Sequence, residues 1–254
     1  MFKKNIPFLL LMIVFSSANA QQFLVLGMGF NGAYYQSKGL DRFKKSYNAY
    51  YAPYLATNFH GLQHAMGLSW ELGYRRLKGL SYAALTGFQY NTSKDLARFQ
   101  IGESRKLELK QSCLYLAGEF GYAVGNVFVN GTAMLFFNRQ ITLTSRYSNP
   151  FDENVPQKSL NGRYLGESSH AFDVGIVAGL YRDPVIVTVR LTYPVSTAGQ
   201  SYPLQDHSAE KIQQGTQIFP DDYEAFLKRQ SYAGVGSDIN GLKVTLMIVA
   251  ALKM

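Results

Sequence analysis

Residues 62–75, Leu-Gln-His-Ala-Met-Gly-Leu-Ser-Trp-Glu-Leu-Gly-Tyr-Arg, alternate large side chains with small or polar ones along their whole length. Leu62, His64, Met66, Leu68, Trp70, Leu72 and Tyr74 fall on one face. Gln63, Ala65, Gly67, Ser69, Glu71, Gly73 and Arg75 fall on the other. A strand sends successive side chains to opposite faces, so the first set would meet an apolar medium and the second a tight, polar interior. The wall of a transmembrane β-barrel has this form.

Working outward, seven further segments repeat the pattern. Their apolar faces begin with Leu24-x-Leu26-x-Met28-x-Phe30 in the first and Leu80, Tyr82, Ala84, Phe88 and Tyr90 in the third. Leu114, Leu116, Phe120, Tyr122 and Val124 mark the fourth. The fifth reads Val127, Val129, Ala133, Leu135 and Phe137 outward, with Asn130, Thr132, Asn138 and Gln140 inside. Phe172 to Leu180, Val185 to Tyr193 and Leu242 to Leu252 supply the last three. The links alternate in length. Short ones fall at Arg75–Gly79, Gly125–Asn126 and Arg182–Asp183; long ones cover roughly Tyr35–His60, Ser93–Gly102, Arg146–Gly166 and Ser196–Asn240. Both chain ends then lie on one side. The fold class predicted is all-β: an eight-stranded antiparallel up-and-down transmembrane barrel with short periplasmic turns and long extracellular loops.

Charge placement tests the phasing. Glu71, Arg75, Glu119, Asp173, Arg190 and Lys243 all take the inward set. A Lys or Arg facing lipid at the midplane would cost about 2–4 kcal/mol. Three acids against three bases predict a paired interior plug, because buried charges are tolerated only when partnered. Eight strands leave an interior just wide enough for side chains to fill, which argues against a general diffusion pore. Tyr74, Tyr122, Phe128 and Tyr181 near the short turns, and Tyr34, Tyr90 and Tyr193 near the long loops, read as two aromatic girdles.

Met1 to Ala20 reads as a secretory signal peptide: Lys3 and Lys4, an apolar stretch from Pro7 to Phe15, then Ala18-Asn19-Ala20. The barrel domain is expected over 21–254. A lone cysteine, Cys113, implies no internal disulfide. The formal net charge of +8 is expected to meet lipopolysaccharide phosphates or an acidic glycan; an exported chain gives it no nucleic-acid partner.

These features resemble the small eight-stranded outer-membrane barrels of the OmpA and OmpX type. The resemblance rests on periodicity, turn order and leader, and implies an outer-membrane location and a barrel that serves as an anchor.

Gly27-Met28-Gly29-Phe30-Asn31-Gly32 fits GxGxxG, but Ala33-Tyr34-Tyr35 opens no helix and Asp41 comes too early for a dinucleotide site. Ser168 and His170 sit two apart at the outer end of the sixth segment and resemble the pair of lipid A deacylases. Glu167 falls on the opposite face, so no third group orients the histidine. In the first long loop, Leu40, Phe43, Tyr47 and Tyr50 recur at helical spacing among Lys38, Arg42, Lys44 and Lys45, which suggests a surface-binding amphipathic helix or a loop over the mouth. Asp221 and Asp222 read as a helix start in the last loop. His60, His64 and His207 have no ligand spacing, so no metal and no cofactor is expected.

The function expected from sequence is therefore a non-enzymatic outer-membrane anchor whose outer loops act in adhesion, a surface assembly or lipopolysaccharide contact. The alternatives are a lipid-modifying enzyme using Ser168 and His170, and a narrow channel.

Overall fold

The computed structural model describes residues 21–150, 160–196, 204–206 and 239–254, without the side chains of 167–170, 196 and 205–206. The expected leader, Asp221–Asp222 and His207 lie outside the described residues. Among the described residues nine strands and one helix follow in order: β1 (Gln22–Gln36), α1 (Lys38–Tyr51), β2 (Leu55–Thr57), β3 (His64–Phe99), β4 (Ser104–Val124), β5 (Val127–Ser148), β6 (Gly162–Arg182), β7 (Val185–Ser196), β8 (Gln205–Asp206) and β9 (Asn240–Lys253). All pairings are antiparallel, in the order β1-β9-β7-β6-β5-β4-β3-β2, with β8 on β6. β1 also pairs with the first part of β3, from Gln22↔Arg76 to Tyr34↔His64, so the sheet returns on itself as a nearly closed ring.

β3 doubles back after Arg76. Gly79 takes φ +57, a left-handed value that suits a residue without Cβ, and the Ser81 hydroxyl donates to the Arg76 carbonyl across the bend. Beyond it Trp70 stacks on Phe88 at 6.4 Å and Tyr74 lies 6.0 Å from Tyr82. Gly125, φ +58, makes the corresponding turn between β4 and β5.

The inner face of β4 holds every odd residue from Arg105 to Glu119, all buried. The outer face changes character partway along: Lys106, Glu108 and Lys110 give way past Ser112 to Leu114, Leu116, Phe120, Tyr122 and Val124. The change is in register with its neighbours. Ser112 pairs with Tyr90 of β3 and Gln140 of β5, and Leu114 pairs with Phe88 and Phe137. Above this line the interior holds Leu107, Leu109, Ile141 and Leu143 beside buried Arg105, Arg139 and Ser145.

Several sequence expectations are corrected. The stretch Ser93–Gly102 is not a long loop: the β3–β4 ladder runs to Arg98↔Ser104. Its outward face carries Lys94 and Arg98 and its inward face begins with the polar Ser93, so it lacks the apolar outer stripe of the lower wall and reads as a loop. Asn138 and Gln140 point outward, because a bulge at Asn138, φ +47, shifts the phase of β5 and brings Arg139 inside. A bulge of this kind redirects every residue after it. Leu62 precedes β3 and is buried in the mouth. Phe128 and Tyr181 face inward, against Arg75 and Phe23 respectively, so they belong to no outer girdle.

The mouth is closed by α1. Ser37 caps it, accepting from the Leu40 amide at 3.3 Å. Leu40, Phe43 and Tyr47 form its buried face against Phe59, Leu107, Leu109 and Ile141. Asn48 holds the return chain through two bonds with the Phe59 backbone, at 2.9 and 3.0 Å.

Candidate functional site

From the short turns upward, the interior is a stack of layers. Phe23, Val25, Phe128, Ile186 and Val249 form an apolar floor. Above it lies the ionic layer. Arg190 of β7 places one Nη2 between Glu71 Oε2 of β3, at 2.9 Å, and Glu119 Oε1 of β4, at 2.8 Å. Arg75 Nη1 sits 2.7 Å from Glu119 Oε2. The Tyr115 hydroxyl donates to Glu71 at 3.3 Å and the Asn130 amide to Glu119 at 3.4 Å. All four ionic side chains are essentially inaccessible. Desolvation of each ion is severe, and attraction in a medium of low dielectric offsets it only with such direct contacts.

Inward phasing put six charges in the lumen. The structure brings four of them into this single network. Lys243 and Asp173 form a separate pair at 2.8 Å, with the Lys243 ammonium 4.2 Å from the Phe136 ring centre. Glycines make the room. A Cβ on Gly27 would press on Glu71 and Val249, and one on Gly29 would run into the Leu246 carbonyl. Close packing thus accounts for the first two glycines of the GxGxxG match, while a Cβ on Gly32 would meet nothing within 4 Å. No helix opens at its end, so the dinucleotide reading has no support.

Three buried arginines were missed from sequence: Arg76, in the link read as a short turn, Arg105 and Arg139. Arg139 was hidden by the bulge; the Gln111 amide, with its oxygen toward Arg139, links that guanidinium to the Tyr35 hydroxyl. Arg105 was hidden because the fourth strand was read only from Leu114 onward, whereas β4 begins at Ser104. It donates to Ser145 Oγ at 3.0 Å, to Asn161 Oδ1 at 3.1 Å and to the Tyr47 hydroxyl at 3.2 Å. The signal that could have found Arg105 is the inward parity of β4 carried back past Ser112; the bulge that turns Arg139 inward leaves no such signal.

On α1, Lys38, Arg42 and Lys45 are exposed at i, i+4 and i+7, one stripe of a helix. Lys44 is half-buried, donating to the His60 carbonyl at 3.1 Å and lying 3.6 Å from Asp41. Tyr47, counted among the surface-binding residues, is fully buried: at seven residues from Leu40 it shares the helix face that fills the mouth. It is therefore a packing residue. Ser168 and His170 lie on β6 opposite Arg139 and Phe137; their side chains are outside the described residues. Among the described residues no cluster of His, Cys, Asp or Glu is arranged to hold a metal ion.

No family model matches the chain, and no curated protein matches it, of the OmpA and OmpX type or any other. Among solved structures it is similar to the outer membrane protease OmpT from Escherichia coli, 9% identical, with 93% of this chain and 98% of that chain covered at a TM-score of 0.42. The neighbour is an outer-membrane protein. That neighbour is named a protease, which overturns the expectation that this chain is not an enzyme.

Proposed function

We propose that this chain is an outer-membrane protein: eight wall strands, counting β3 as two, cross the bilayer with both termini periplasmic, and the outer end presents a basic helical stripe to an anionic surface ligand. The aligned change on the outer face carries this reading. Below the line through Tyr90, Ser112 and Gln140 the wall exposes Leu114, Leu116 and Phe120; above it, Lys94, Lys106 and Lys110. From Leu114 to Val124 is ten residue steps of about 3.4 Å, about 34 Å along the strand. At the usual tilt of 35–45° that spans about 24–28 Å, the height of the apolar band of an outer-membrane barrel. Among the described residues no helix is long and apolar enough to cross a membrane, which leaves strand crossing untouched.

The sealed lumen supports an anchor rather than a conduit, and the stripe of Lys38, Arg42 and Lys45 supports phosphate-bearing lipopolysaccharide as the ligand. The test is lipopolysaccharide binding by the detergent-purified protein and by Lys38→Glu/Arg42→Glu/Lys45→Glu. The triple variant should lose most of the affinity and flatten its salt dependence. Equal binding by both proteins sinks the reading.

A further inference from the structure

A cavity of about 240 Å³ opens at the rim of the mouth, where the end of α1, the turn before β2, the β3–β4 hairpin tip and the end of β5 meet. Its walls are aromatic. Phe99 stands between Tyr51, with ring centres 5.5 Å apart at 85°, and Tyr147, at 6.0 Å and 69°. Tyr54, 63% exposed, forms the outer side. Gln100 ties the Tyr54 turn to the hairpin: its backbone amide donates to the Tyr54 carbonyl at 2.9 Å and its side chain to the Pro53 carbonyl at 3.3 Å. One carboxylate, Glu103, reaches the site, with Oε1 accepting from the Asn149 amide at 3.1 Å.

We propose that this cavity binds an organic cation of the methylated or quaternary ammonium class, whether free or carried on a headgroup. Tyr51, Tyr54, Phe99 and Tyr147 bring four aromatic rings around one small volume, and a cation that sheds little hydration gains most from such a lining. Glu103 supplies the counter-charge. Tyr51 is the last residue of α1, whose final turn has no basic residue, so the negative end of that helix also points to a cation. Arg105 acts against it from the buried side, 5.4 Å from the Tyr147 ring centre and 5.8 Å from that of Tyr47. The same aromatic cluster thus already holds one cation, and the carboxylate and helix end offset its charge. A neutral sugar fits less well, because the Gln100 amide nitrogen and one Glu103 oxygen are already engaged.

The test is calorimetric titration of the full chain in maltoside micelles with choline, with its uncharged isostere 3,3-dimethylbutan-1-ol and with methyl glucoside. Choline should bind at least about fivefold tighter than the isostere, and Glu103→Gln or Tyr54→Ala should each weaken it about fivefold. Glycerophosphocholine competing as well as choline would identify a headgroup source; failure to compete would identify the free cation. No heat with choline, equal binding of the isostere, or preference for the glucoside overturns the proposal, and these comparisons need no variant. The outcome is independent of lipopolysaccharide binding by α1.

Discussion

Replacing Arg190 by methionine tests the ionic layer most directly. The side chain is 1% exposed and joins two carboxylates through one nitrogen, 2.9 Å from Glu71 and 2.8 Å from Glu119. Without it Glu119 keeps Arg75 at 2.7 Å, whereas Glu71 keeps the Tyr115 hydroxyl at 3.3 Å as its close hydrogen-bond donor. The loss therefore falls on Glu71. Breaking a buried pair costs about 3–5 kcal/mol, a large share of the 5–15 kcal/mol that holds a typical domain folded. Adding Glu71→Gln removes the stranded charge and leaves Arg75 and Glu119 as a balanced pair. The double variant should return to within about 1 kcal/mol of the parent. Urea unfolding in micelles, followed by the fluorescence of the chain's single tryptophan, Trp70, gives both numbers. A loss below about 1 kcal/mol for Arg190→Met, or a double variant worse than the single, would refute the network as the element that stabilises the lumen.

Trp70 also reports on its surroundings: it is 45% exposed on the outer wall, so acyl chains carrying bromine should quench it and aqueous iodide should not. Iodide quenching in vesicles would remove the transmembrane reading. Gly29→Ala, whose Cβ would strike the Leu246 carbonyl, should cost about 2 kcal/mol or more, while Gly131→Ala, with nothing nearer than 3.7 Å, should be close to neutral in the same unfolding assay. At the bulge, Asn138→Gly should be tolerated and Asn138→Val should destabilise by about 1–2 kcal/mol, since φ +47 penalises a β-branched side chain. Equal unfolding midpoints for the two Asn138 variants would show that the bulge does not set the phase of β5.

Alternation alone was enough to read the lower wall. From Leu114 to Val124, and from Val185 to Tyr193, one face is apolar and the other small or polar, and that periodicity also sent Glu71, Glu119 and Arg190 inward. It could not say which charges meet. Glu71 and Arg190 are 119 positions apart in the chain, and only closure of the sheet, with β1 reaching both β9 and β3, sets them 2.9 Å apart. It could not reveal the upper wall either, because the outer face of β4 carries Lys106, Glu108 and Lys110 there in place of the Leu114 and Leu116 below, so the apolar stripe that marks a strand is missing. Nor does a one-residue bulge leave a trace in composition: Asn138 looks like any polar residue until its φ is known. The side-chain period of a strand is local and survives in the sequence. Register, closure and the medium at each height are properties of the assembled sheet, and those placed Arg139, Tyr47 and the Glu103 cavity.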